Sequence, residues 1–404
     1  MVRVKLRKAE SEDSQDIFDW RNDPVTVKYS ISGEVKLEDH HQWYKRKIED
    51  KETLFLVMTD SSDKRFGMIR FDQKPEHSII NINLSPSHRS LGLGKIGLHK
   101  ALKYYFDKYS QKPIIATVHK DNIPSQSLFS KFGFEKFSED EEFYNFILTK
   151  ETDEKLRIKF GIKIWSINHQ WFADLIKAYK EGEFDFVELY AVPGTFDPDK
   201  LSILRDSGLP INIHAPNEHQ LNLAKDSSSN IDIFKEVVKF ANFFDSEYII
   251  IHCGTGDDET MLQNNLDKIS DQRIVIENVP HKSLIGDEPL FAYSFERVDN
   301  LLKKNCFSFC LDFGHAIKSA KSQGIDQLTF LKRLLSLRPK VFHLNDGSID
   351  EEKDEHLNLG AGGYDINIIK RLIKNSSTRM LVFETPKNGG IENDFINMDF
   401  FRGL

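Results

Sequence analysis

Cysteine is nearly absent: the chain has three in 404 residues, Cys253, Cys306 and Cys310. Three thiols build no disulfide framework and suit a reducing compartment. Long apolar runs are absent as well. No stretch approaches the roughly 20 consecutive apolar residues of a membrane-spanning helix, and the opening MVRVKLRKAESED lacks the apolar core of a secretory signal. The expected location is the cytoplasm, with no membrane partner. A basic excess is also missing. Residues 1–150 hold 25 Lys and Arg against 23 Asp and Glu, a balance of +2, and the remaining residues hold 30 against 40, a balance of −10. A second half of that sign has no footprint for tracking a phosphate backbone, which counts against nucleic acid as its partner. No internal repeat or low-complexity segment is evident, and nothing in the sequence fixes an oligomeric state.

What is present divides the chain in two. A charged stretch, TKETDEKLR at 149–157, marks the boundary, giving domains at 1–150 and 155–404. Before it the order is mixed. Strands are expected near 2–8, 53–59, 65–72, 79–84, 113–118 and 143–148, with helices near 11–21, 37–49 and 123–132 and another after a glycine-rich turn at 89–94. After the boundary the pattern becomes regular. Apolar runs recur near 158–165, 184–190, 211–216, 248–254, 273–279, 307–312, 341–345 and 379–384, with helical stretches between most of them. Eight strands in βα alternation predict a (β/α)8 barrel, whose functional residues sit at the C-terminal strand ends.

Nine residues lie at those ends or in the loops that follow: His214, His252, Glu277, Asp312, His315, His343, Asp354, His356 and Glu384. Five imidazoles and four carboxylates form a ligand set for a divalent cation, zinc first, with manganese or ferrous iron as alternatives. In the first half, Arg89-Ser90-Leu91-Gly92-Leu93-Gly94-Lys95 is a turn whose glycines let the backbone approach an anion at a helix N-terminus.

That turn, followed by Asn122-Ile123-Pro124-Ser125 and by Leu128-Phe129-Ser130-Lys131-Phe132-Gly133-Phe134, resembles the GNAT family of N-acetyltransferases across about residues 2–150. The resemblance implies a GNAT-type mixed sheet with helices and acetyl-CoA as co-substrate. The backbone from Leu91 through Gly92, Leu93 and Gly94 to Lys95, led by Arg89, would hold the pyrophosphate. Asn122, with Ser125, would lie along the pantetheine arm. Many members carry a tyrosine that protonates the leaving thiolate, where this chain has Phe129, so neither the acid nor the base of that reaction is identified. Trp20-Arg21-Asn22-Asp23-Pro24 resembles the branch acting on ribosomal proteins and nucleotide-linked amino sugars.

The second half, through HAP, IEN, LDFGH, HLND, DEHLNLGAG and ETP, resembles the endonuclease IV and xylose-isomerase-like barrels over residues 158–390. The resemblance implies three metals. His214, His252 and Glu277 would hold the first. Glu277 would bridge to a second, held also by Asp312, His343 and Glu384, with a hydroxide between the two as nucleophile. His315, Asp354 and His356 would hold the third. Such a site points to phosphate ester or anhydride cleavage. The loops lack the aromatic and apolar wedges of an abasic-site endonuclease, with Phe196 the one large apolar residue after the second strand. The expected enzyme is therefore bifunctional. It would acetylate a nucleotide-linked amino sugar and then cleave its phosphate linkage, as in routes to nonulosonic acids. A sugar or sugar-phosphate isomerase or epimerase is the alternative for the barrel, and DNA repair ranks below both.

Overall fold

Segments rich in β-branched and aromatic residues set up the first sheet of the structure, a computed structural model that describes residues 3–284 and 288–404. Strands β1 (Lys5–Lys8), β2 (Thr53–Thr59), β3 (Arg65–Gln73) and β4 (Ser78–Leu84) pair in order, all antiparallel. Strand β5 (Ile114–His119) joins β4 in parallel, and the pairing is confined to Ser78 with Ile114 and Ile79 with Ile115. Beyond that point the two strands part, which opens a wedge in the middle of the sheet. Strands β6 (Glu135–Glu139) and β7 (Phe143–Leu148) complete the order β1-β2-β3-β4-β5-β7-β6. Strand β6 has no counterpart in the sequence reading. Its five residues, EKFSE, are all exposed, so it carries no apolar alternation by which to be seen.

The helix Leu93–Tyr104 lies on this sheet. It places Ile96, Leu98, Ala101 and Leu102 in one core with Met58, Ile69 and Phe71. Each Leu or Ile buried there contributes about 1.5–3 kcal/mol. Gly97 lets the helix come close, since a Cβ at that position would lie 2.2 Å from the sulfur of Met58.

The second half closes into a barrel of eight parallel strands: β8 (Lys159–Trp165), β9 (Phe186–Tyr190), β10 (Ile211–His214), β11 (Ile249–Ile251), β12 (Ile274–Glu277), β13 (Ser308–Asp312), β14 (Val341–Leu344) and β15 (Met380–Phe383). Strand β15 pairs back onto β8, with Val382 opposite Gly161. Side chains on a strand alternate with period two, so one parity fills the interior. Inside, Phe186, Tyr248, Ile250, Val275, Cys310, Val341 and Val382 form an apolar plug. Two residues further along the same strands or just past their ends stand Glu188, His252, Glu277, Asp312, His343 and Glu384. The barrel thus changes from apolar to ionisable in one pleat, at its C-terminal end.

Residues 1–157 together with 399–404 form one compact unit and residues 158–398 the other. Residues 399–404, read from sequence as part of the barrel domain, thus group with the first unit. The charged stretch at the boundary folds as the helix Lys150–Leu156. Among the described residues no helix is long and apolar enough to cross a membrane.

Candidate functional site

In the first unit the glycine turn has the geometry of an anion cradle. Gly92 takes the left-handed conformation, φ 79°, and is the N-cap of the helix Leu93–Tyr104, whose first amides have no intrahelical acceptor. Leu91 is exposed and Gly94 lies in the first turn. Arg89 turns the other way: its guanidinium meets Asp23 at 2.6 Å and Thr26 at 3.0 Å, tying the turn to the segment after Trp20. Lys95 Nζ donates to the carbonyls of Gly403 (3.1 Å) and Leu404 (2.7 Å), residues of the same unit. Asn122 caps the helix Ile123–Lys131 by accepting from the Ser125 amide at 3.2 Å. Phe129 is a core residue, edge-on to Phe134 with ring centroids 5.0 Å apart.

In the barrel all nine expected residues converge. Glu277, fully buried, is the hub. Its Oε2 lies 3.2 Å from His214 Nε2 and 3.3 Å from His252 Nε2, and its Oε1 lies 3.2 Å from His315 Nδ1 and 3.3 Å from His343 Nδ1. His343 Nδ1 is also 2.8 Å from Glu384. Across the mouth, Asp354 Oδ2 is 2.6 Å from His356 Nε2 and 3.5 Å from His315 Nε2. Ligand-type atoms fall into overlapping clusters: His214–His252–Glu277, Glu277–Asp312–His315 and His315–Asp354–His356. Asp312 thus groups with Glu277 and His315, and Glu384 groups with Glu188, His214 and His343.

The strands that carry none of the nine, β8 and β9, supply two residues that the motifs did not mark. Lys163 and Glu188 stand opposite each other in register. The Lys163 ammonium is ion-paired with Glu384, and Glu188 is hydrogen-bonded to His343 and to the Tyr248 hydroxyl. The available signal was a charged residue interrupting an apolar strand, in KIW and VELY. Glu218, also unmarked, holds His252 Nδ1 at 3.4 Å.

These contacts fit a divalent cation. Several imidazoles have one nitrogen on an acceptor outside the cluster and the other turned toward carboxylates. His214 Nδ1 meets the Ala215 carbonyl at 2.6 Å, and His252 Nδ1 meets Glu218. A second ring nitrogen fixed in this way is the usual support of a metal-ligating histidine. Asp312 Oδ2 is buried with no hydrogen-bond partner among the described residues, an open acceptor that a cation would satisfy.

The electrostatics agree. Burial lowers the pKa of His214, with Lys163 adding to the effect, which favours the neutral ring that a metal-ligating imidazole requires. Burial alone would lower His252 as well, but Glu277 and Glu218 outweigh it and bring the ring up to about 9. Burial pushes Asp312 up to about 6, with Glu277 and Glu384 adding to the shift. The carboxylate field that raises His252 is also one that would hold a divalent cation.

A cavity of about 400 Å³ opens over the cluster, in the size range of small-molecule sites. Trp165, Tyr190, His219, Lys282 and Lys387 line it beside His214, His252, His315, Asp354, His356 and Glu384. Tyr190 stacks on His214, with ring centroids 5.6 Å apart. Phe196 packs on Phe240 and Phe243, at 5.0 and 5.9 Å, and so belongs to the fold.

The first unit thus joins a sheet that parts between β4 and β5 to a glycine turn, and the barrel mouth gathers ionisable groups that could hold a metal. Residues 3–135 match the family described as Acetyltransferase (GNAT) domain, so the first unit carries a GNAT acetyltransferase domain, whose co-substrate is acetyl-CoA. Over 157 residues the chain is 27% identical to Acetyltransferase PseH of Campylobacter jejuni, a match covering 38% of this chain and 98% of that protein. The spermidine N-acetyltransferase of Vibrio cholerae, solved with CoA and spermine, is 17% identical with a TM-score of 0.36, covering 38% of this chain and 98% of its own. Endonuclease IV from Thermus thermophilus is 22% identical with a TM-score of 0.48, covering 60% of this chain and 97% of its own.

Proposed function

We propose that the chain is a bifunctional enzyme. The first unit transfers the acetyl group of acetyl-CoA to the amine of a nucleotide-linked amino sugar, and the barrel then hydrolyses the phosphate linkage of the acetylated product. The observation that carries the second step is Glu277, one buried carboxylate meeting four imidazoles within 3.3 Å. Divalent cations bound there, zinc or manganese, would supply Lewis acidity toward a phosphoryl oxygen and an attacking water.

The chain's own residues do the rest. His214, His252, Asp312, His315, His343, Asp354, His356 and Glu384 hold and orient the cations around Glu277, and the cavity confines the substrate beside them. Water attack at the sugar-linked phosphorus with loss of the sugar oxygen gives nucleoside diphosphate and free sugar; attack at the other phosphorus with cleavage of the anhydride bond gives nucleoside monophosphate and sugar phosphate. The −10 balance of residues 151–404 and the commitment of Phe196 to the fold favour a small phosphorylated substrate over duplex DNA. In the first unit, the turn from Leu91 to Lys95 and Asn122 are assigned to the acetyl-CoA pyrophosphate and pantetheine. The leaving thiolate is protonated by a group other than Phe129, which has no proton to donate.

The test uses metal-replete protein with a UDP-linked 4-amino-4,6-dideoxy sugar and acetyl-CoA, read by mass spectrometry beside Glu277→Ala. The expected result is an acetylated nucleotide sugar that accumulates in the variant and proceeds to nucleotide and sugar in the parent. An acetylated product that keeps its nucleotide in both proteins removes the hydrolase reading and leaves sugar isomerisation for the barrel.

A further inference from the structure

We infer that Glu188 is a positioning residue, which fixes His343 as the Nε2–H tautomer and so presents Nδ1 to the metal centre. The inference rests on the barrel's binding a divalent cation, as proposed above.

Glu188 lies in the middle of β9, fully buried, and its Oε2 accepts from the Tyr248 hydroxyl at 3.1 Å. The same oxygen is 3.1 Å from His343 Nε2. An ionised carboxylate is acceptor-only, so the imidazole nitrogen facing it carries the proton. The other nitrogen, Nδ1, is 3.3 Å from Glu277 Oε1 and 2.8 Å from Glu384 Oε1. In the metal-free protein a proton on Nδ1 satisfies both carboxylate oxygens, and a divalent cation would take that proton's place. The donor set therefore runs Tyr248–Glu188–His343–cation, a carboxylate–histidine–metal relay in which the outer acid selects the ligating nitrogen.

Glu188 also belongs to a cluster with His214, His343 and Glu384 that is compact enough to be a ligand set itself. Oε2 is shared by the Tyr248 hydroxyl and His343 Nε2, whereas Oε1 is buried with no hydrogen-bond partner among the described residues, so the ligating nitrogen of His343 is what separates the two roles.

The experiment is ¹⁵N-histidine NMR of the zinc-loaded parent, with His343 assigned by its loss in His343→Asn, together with metal content after dialysis against graded chelator. A proton on Nε2 and the metal-shifted resonance on Nδ1 are expected for His343, and the reverse assignment overturns the inference with no variant needed. Glu188→Met is expected to weaken one metal equivalent about 10–100-fold, while Glu188→Gln, which keeps an acceptor oxygen, retains most of the affinity. Unchanged metal retention in a folded Glu188→Met overturns the inference. If Glu188→Met does not fold, the parent spectrum and Glu188→Gln decide it. A parent that binds no metal at all removes the metal reading itself, which separates the two failures.

Discussion

Glu277→Gln tests the centre most directly, because it changes charge with almost no change in shape. In the parent each carboxylate oxygen faces two imidazole nitrogens: Oε2 those of His214 and His252, Oε1 those of His315 and His343. A glutamine can offer its oxygen to one pair only and must turn an N–H₂ group on the other. Removing one partner of a buried charge pair costs about 3–5 kcal/mol. At about 1.4 kcal/mol per tenfold, a cation held by Glu277 would bind roughly two to four powers of ten more weakly. The expected outcome is loss of at least one metal equivalent, measured by plasma mass spectrometry after gel filtration. A second readout needs no metal. Glu277 is the first of the groups that raise His252, so in metal-free variant the ring should titrate well below the parent's value of about 9. The same metal content and affinity as the parent, with His252 still titrating near 9, would refute the assignment of Glu277 as hub.

Other perturbations probe the supports. Lys163→Met strands Glu384 without its ammonium; breaking a buried pair costs about 3–5 kcal/mol, and at roughly 2–4 °C per kcal/mol the barrel's melting temperature should fall by about 6–20 °C, whereas an unchanged melt would show that the pair contributes nothing. Phe129→Tyr places a hydroxyl in the core beside Phe134, a cost of about 1–3 kcal/mol if it finds no partner, so the melting temperature should drop with no gain in acetyl transfer; faster transfer at unchanged stability would contradict the burial of that position. Asp13 is held by Arg7 through two 2.7 Å contacts and by Arg65 at 3.1 Å. Burial works to raise its pKa, but these partners outweigh it and leave it below the ordinary carboxylate value. The sign follows from the lowered value. The stabilisation is complete above the unfolded carboxylate's pKa of about 3.9 and is lost as pH falls through the folded value. Asp13→Asn should therefore destabilise at pH 7 and flatten the acid limb of a melting-temperature profile; a parallel limb would remove Asp13 from it.

The difference between what the sequence disclosed and what it hid comes from the distance over which each residue acts. The (β/α)8 pattern is local: each strand announces itself by an apolar run, and each candidate ligand lies at a run's end or in the segment that follows it, where the fold puts chemistry. His252 after YIII and Glu384 after LVF were legible for that reason. The glycine turn is local too, since Gly92's positive φ and the helix it starts lie within one stretch. Strand β6 was hidden because an exposed edge strand has nothing to alternate. Lys163 and Glu188 were hidden because their reasons are remote. A lysine in the second half of KFGIKIW reads as a break in an apolar strand until the barrel closes and brings β15 alongside β8, setting Glu384, 221 residues away, against its ammonium. Glu188 likewise gains its meaning from Tyr248 and His343, 60 and 155 residues on. Sequence periodicity marks the groups proposed to touch a cation, because strand ends are places in the chain. The groups that aim those ligands are places in the closed sheet, and only closure reveals them.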